Sequence, residues 1–140
     1  MESKLRTIAS IATIGALTLF AFNQETRNTI KMRANYKCEV TGREDLPMDC
    51  IHLDHTKGVK QYNSPDNGLY GTILVHLAHH MIYRDFPKAI GLKYSENEWA
   101  INALKERCLT AYNGDQQAMQ DDYEIAKAKL QDYLSAKLEQ

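Results

Sequence analysis

With 140 residues, 44% of them apolar and 25% charged, and a formal net charge of −1, the chain is sized for one domain. These proportions exclude wholesale disorder and a strongly basic nucleic-acid coat. The near-zero charge hides an asymmetry, because residues 24–93 carry 10 Lys/Arg against 8 Asp/Glu and residues 94–140 carry 5 against 9. A polyanion would therefore meet the middle of the chain and not its tail.

Residues 7–22 carry no charge and are flanked by Lys4 and Arg6 before and Arg27 after. A helix over this stretch spans about 24 Å, short of the roughly 30 Å hydrocarbon core. Three readings stay open for residues 1–23: a membrane-anchoring helix tolerated by local thinning, a buried or partner-binding helix, and a cleaved signal peptide. If the stretch spans a membrane, Arg27, Lys31, Arg33 and Lys37 keep the body of the protein in the cytoplasm. The three cysteines, Cys38, Cys50 and Cys108, follow no framework spacing and read as reduced thiols in a cytosolic setting.

Residues 24–35 read as a short helix capped by Asn23, with Glu25 in its first turn. Its Arg27, Lys31 and Arg33 either meet phosphates or form a solvated face. Tyr36 to Gly42 reads as a strand ending in a turn, and Leu46 to Asp54 as a second strand feeding His55. Thr56 to Asp66 is polar, with Gly58, Asn63, Ser64 and Pro65, and should be a loop. Asn67-Gly68 stands at the mouth of a helix over 69–84, whose Leu69, Ile73 and Leu77 recur every four residues. Phe86-Pro87 breaks it. Ser95 and Glu98 suggest a capping box opening a helix to about Tyr112, and Asn113-Gly114 ends that helix. Asp115 to Leu138 reads as a longer helix with Met119, Tyr123, Ala126, Leu130, Tyr133 or Leu134, and Leu138 on its apolar face. The fold class is α+β. The expected division is an apolar segment at 1–23, a domain at 24–93 and a C-terminal helical hairpin at 94–140 that serves packing or interaction.

All five histidines lie between His52 and His80. Histidine titrates near neutral pH and binds divalent metals as neutral imidazole. His76 and His80, four apart on a helix, project from one face and can close on one ion. His52 lies two residues before Asp54 on the same strand face, so it is either an extra ligand, a support behind one, or a hydrogen-bonded strand histidine. His79 points about 100° away from His80 around the helix, which suits a surface or phosphate-contact role.

Tyr-Lys-Cys-Glu-Val-Thr-Gly at 36–42, the Asp54-His55 pair, Asn67-Gly68 nine residues before His76, and His80 together resemble the HNH endonucleases, the ββα-metal nucleases. The resemblance covers roughly residues 27–93, and the His76/His80 pair is similar to the colicin-type DNases. It implies a core of a short β-hairpin and a helix, extended here by the N-terminal apolar helix and two C-terminal helices. It also implies hydrolysis of DNA phosphodiester bonds, with His55 as general base and Asn67 as the residue that orients it. Asp54, His76 and His80 would hold one divalent ion (Mg²⁺, Mn²⁺, Ni²⁺ or Zn²⁺) on the scissile phosphate. Two imidazoles and a carboxylate suit borderline metals better than Mg²⁺ alone. DNA would be met in the minor groove by the helix and hairpin, with Arg27, Lys31, Lys57, Lys60 and Arg84 on phosphates. Many members hold a structural zinc with two Cys-x-x-Cys pairs. Here Thr41 stands where the second cysteine of the first pair would be, and the second pair is absent, so no structural zinc is expected. Small size and a lone nuclease domain suggest a phage or mobile-element protein acting in the host cytoplasm. The alternatives are a catalytically silent metal- or DNA-binding module, and a protein tethered to a membrane through residues 7–22 whose metal site is structural.

Overall fold

The computed structural model describes residues 22–56 and 59–138, and for Val59 and Lys60 the backbone only. The three readings of the apolar stretch thus fall outside the described residues except at Phe22. The Lys57 and Lys60 side chains fall outside them too. No helix among the described residues is long and apolar enough to cross a membrane.

The chain is mixed α+β. Asn23 opens α1 (Gln24–Arg33) as expected, its side-chain oxygen accepting from the Thr26 N–H at 2.8 Å. Strand β1 (Met48–His52) leads into a loop containing the single turn α2 (Val59–Tyr62) and a 3₁₀ turn at Pro65–Asn67. Strand β2 (Gly68–Thr72) then pairs antiparallel with β1 in the register Met48 to Thr72, Cys50 to Tyr70 and His52 to Gly68. Helix α3 (Ile73–Ile82) follows directly, its first turn capped by the Thr72 hydroxyl accepting from Val75 N–H at 3.3 Å. A second 3₁₀ turn at Pro87–Ile90 precedes α4 (Tyr94–Ala111) and α5 (Gln116–Leu138).

Three expectations are corrected. The hairpin does not use residues 36–42. Asn35, Tyr36 and Gly42 have φ of 56°, 59° and 77°, left-handed values that interrupt a strand. That segment is a turn closed by Gly42 N–H to Cys38 O at 2.8 Å. It still touches the sheet, since Glu39 N–H donates to Tyr70 O at 2.9 Å on the outer edge of β2. The helix expected over 69–84 is instead strand to Thr72 and helix only from Ile73. A Cβ at Gly68 would lie 2.3 Å from Ile30 Cδ1 and 3.1 Å from Phe22 Cζ, so a larger residue there would push these side chains aside. The cap of α4 also differs: Lys93 N–H donates to Glu96 Oε1 at 3.1 Å, and the Ser95/Glu98 pairing does not form the box.

The core sits between the sheet and the three long helices. Ile51, Leu69, Ile73, Leu74, Ile101, Cys108 and Leu130 are all buried in one cluster. The helices at 94–138 therefore share the hydrophobic core of the hairpin, and α3 is enclosed by α4 and α5. Truncating a fully buried Leu69 or Ile73 to alanine would cost about 2–5 kcal/mol. Arg33 fastens α1 to this body. Its guanidinium forks onto Glu39 at 2.8 and 2.9 Å and donates to Pro65 O and Gly68 O at 2.9 Å each. It is a staple, and the phosphate contact considered for it is not what its geometry provides.

Candidate functional site

Direct continuity of β2 with α3 sets the site. Asp49 and His52 of β1 and His76 of α3 line one groove. His76 and His80 have ring centroids 5.1 Å apart, so the structure brings together the pair placed one turn apart by sequence. Each ring is held through Nδ1. His76 Nδ1–H donates to Asp49 Oδ2 at 2.7 Å, and His80 Nδ1–H donates to Asn97 Oδ1 at 2.8 Å. Asn97, fully buried on α4, returns an Nδ2–H to His80 O at 3.2 Å. With Nδ1 committed to an oxygen, the Nε2 lone pair is the one left for an electrophile. Metal-binding histidines are oriented in this way. Burial pulls the His80 imidazole down to about 4, which keeps it neutral at physiological pH.

Asp49 is the residue behind His76. Burial alone would raise its carboxyl, but hydrogen bonds from His76 and Arg107 hold it at about 2. Arg107 of α4 grips it with both terminal nitrogens, at 2.9 and 3.1 Å. Arg107, Arg27, Lys31 and His76 line one groove of about 490 Å³. Arg27 and Lys31 have no carboxylate partner in ion-pair range among the described residues, and both line this groove. Arg84, a third residue expected on phosphates, pairs with Glu98 at 3.0 Å.

His55 stands at the start of the loop between the strands. Its backbone N–H donates to Ile90 O at 2.7 Å, and its Nδ1 lies 3.2 Å from the Tyr62 hydroxyl. Burial lowers its pKa below the ordinary histidine value, partly offset by the Asp54 charge. Its ring borders the same hollow as His80. Gly91, at φ 82°, permits this approach, since a Cβ there would sit 2.5 Å from the His55 carbonyl carbon. Asn67, only 3% exposed, clamps the loop shut. Its Oδ1 accepts from Asp54 N–H, and its Nδ2 donates to Asp54 O and to Tyr62 O, all at 3.0 Å. The expected link from Asn67 to the segment carrying His55 is therefore present in the structure.

Asp54 is not gathered with His76 and His80. Its Oδ1 accepts from the backbone N–H of Thr56 at 2.8 Å and from the Thr56 hydroxyl. Its neighbours across a separate groove include Leu53, Tyr83 and Leu134. Among the described residues no three His, Cys, Asp or Glu side chains converge on one point. His52 is sandwiched between Phe22, at 3.6 Å, and Tyr62, at 3.9 Å, with both rings nearly parallel to it. Its Nε2 faces Asn63 Oδ1 at 3.3 Å, and burial takes it to about 4. It stands behind the His55 loop as ring packing. His79 does not face solvent. It is 1% exposed because α4 and α5 cover both flanks of α3, and it donates Nε2–H to Leu53 O at 3.1 Å. Its Nδ1 has no hydrogen-bond partner among the described residues, and burial drives its pKa to about 3.

Asp49, Asn97, Arg107 and Gly91 were not singled out from sequence. Only Asn97 left a signal there, as the polar member of the α4 stripe Asn97, Ile101, Leu104, Cys108 that is otherwise apolar and buried. The site thus combines two tethered imidazoles, a clamped third imidazole and a groove lined by three cations. The chain matches no protein-family model, and no curated protein or solved structure is significantly similar to it.

Proposed function

We propose that this protein is a metal-dependent endonuclease of the HNH type that hydrolyses phosphodiester bonds in DNA. The observation that carries the reading is the His76/His80 pair, 5.1 Å apart and each tethered through Nδ1 to an acceptor oxygen. That leaves two Nε2 atoms on one helix face beside a general-base candidate. The order β1, His55 loop, Asn67, β2 and α3 agrees with the resemblance and supports it.

A divalent ion fits the donor chemistry of this pair. His76 and His80 would hold it through Nε2. Asp54, the carboxylate that the resemblance assigns, stands apart from the pair and is engaged with Thr56, so it is left out of the proposed ligand set. When bound, the ion supplies Lewis-acid stabilisation of charge on the phosphate and the leaving oxygen. The protein groups do the rest. His55, with Nδ1–H donating to the Tyr62 oxygen, presents Nε2 to a water and takes its proton as the water attacks phosphorus. The P–O3′ bond breaks on the opposite side. Asn67 fixes the loop so that His55 meets the water in one orientation. Arg27 and Lys31 seat the flanking phosphates and carry little sequence information, while Arg107 stays on Asp49.

The test is His55→Ala. Cleavage of supercoiled plasmid in Mn²⁺ should fall by about a hundredfold or more, while Ni²⁺ binding, measured by calorimetry, stays near wild type. Undiminished cutting by the variant would remove His55 from the mechanism.

A further inference from the structure

The chain has one tryptophan, and Trp99 is 65% exposed on α4, although an indole normally finds burial. It lines, with Leu92 and Ala100, an open hollow of about 480 Å³, a size that holds small organic ligands. The same hollow is bordered by His55 and His80, and its remaining polar groups are Ser95 and Glu96. The cations lie elsewhere: Arg27, Lys31 and Arg107 line the groove that contains His76.

We propose that this hollow is a nucleobase subsite, in which the base of the nucleotide at the cut stacks on the Trp99 indole. The preferred substrate is then nucleic acid with an unpaired nucleotide at that position, not intact duplex. The inference rests on the nuclease reading and names its substrate class. In a duplex both faces of each base are covered by neighbours, so only an unpaired or extruded base can lie against an indole. The division of the surface agrees with this. A phosphate belongs beside Arg27 and Lys31 on the His76 side, whereas Glu96 repels an anion from the hollow and tolerates a neutral base. At a net charge of −1, phosphate contacts alone give weak and salt-sensitive binding, and stacking on an aromatic face adds affinity that salt does not screen.

The experiment titrates the full chain, in EDTA, with a short oligodeoxythymidylate and with a duplex of equal length, following indole emission. The single strand should quench the emission and bind at least about tenfold tighter than the duplex. By anisotropy of a labelled strand, Trp99→Ala should weaken binding about tenfold and Trp99→Phe should largely restore it. With Mn²⁺, a flap or bubble should be cut faster than duplex by wild type, and that ratio should collapse in Trp99→Ala. An unquenched indole, unchanged binding by Trp99→Ala, or an indole already shielded from acrylamide in the free protein overturns the subsite. Quenching without cleavage in any metal supports the subsite and refutes the nuclease reading. Equal cutting of duplex and flap, unaffected by Trp99→Ala, refutes the subsite and leaves the nuclease reading standing.

Discussion

Asn67→Ala removes three hydrogen bonds at once, each 3.0 Å long, from a side chain that is 3% exposed. Neutral hydrogen bonds contribute about 0.5–1.5 kcal/mol apiece. Their joint loss, with Asp54 N–H, Asp54 O and Tyr62 O left without this partner, should cost about 3 kcal/mol. For a domain of this size that corresponds to a fall in Tm of about 10 °C, small enough to leave the protein folded at room temperature. The functional loss should be larger than the stability loss suggests, because the clamp joins the two ends of the segment that carries His55. Plasmid cleavage should drop at least about a hundredfold, since misplacing a general base by even an ångström is enough. Ni²⁺ binding should be retained, since His76 and His80 are held on α3 by Asp49 and Asn97. Thermal unfolding by circular dichroism, calorimetry and a cleavage time course measure the three quantities. A Tm within about 2 °C of wild type together with normal cleavage would show that the clamp does not organise the site.

His76→Ala and His80→Ala should each abolish binding of Ni²⁺ or Co²⁺ by the full chain; calorimetry decides, and an unaltered isotherm for either histidine variant counts against the pair. His52, His79 and His80 are held at about 4, 3 and 4 by burial, below the ordinary 6.5. The unfolded chain therefore binds more protons, and their contribution to stability is complete above about pH 6.5 and is lost as pH falls towards 4. Urea midpoints in EDTA should decline steadily between pH 7 and pH 4.5, and a flat profile would contradict the burial of these rings. Lys31→Ala should weaken DNA binding uniformly across sequences and reduce the slope of log K against log salt by about one, and an unchanged slope would take Lys31 off the phosphates.

Elements with strong local chemistry were legible in the sequence. Asn23 does cap α1, and α4 and α5 begin within a residue or so of the expected positions because turn residues and apolar stripes delimit them. The second strand was not legible. Gly68-Leu-Tyr-Gly-Thr72 is buried at all five positions, so no alternation marks it, and Leu69, Ile73 and Leu77 carry a false helical period across the strand–helix junction. Within the site, His76 and His80 could be paired because one helix carries both. Their partners could not, since Asp49 precedes His76 by 27 positions and Asn97 follows His80 by 17. Only the packing of α3 against β1 and α4 brings them together. The exposure expected for His79 failed for a related reason: an angle around one helix does not reveal which neighbours cover it.

The two tethered imidazoles and His55 are proposed to form one hydrolytic site. Conversion of supercoiled plasmid by the full chain in Mn²⁺, Ni²⁺, Mg²⁺ and EDTA, beside His76→Ala and His80→Ala, tests this. Cutting that requires a divalent ion, proceeds in Mn²⁺ or Ni²⁺ at least as readily as in Mg²⁺, and disappears in both variants is the expected result. Plasmid that stays intact in every metal, or variants that cut as well as wild type, would contradict it.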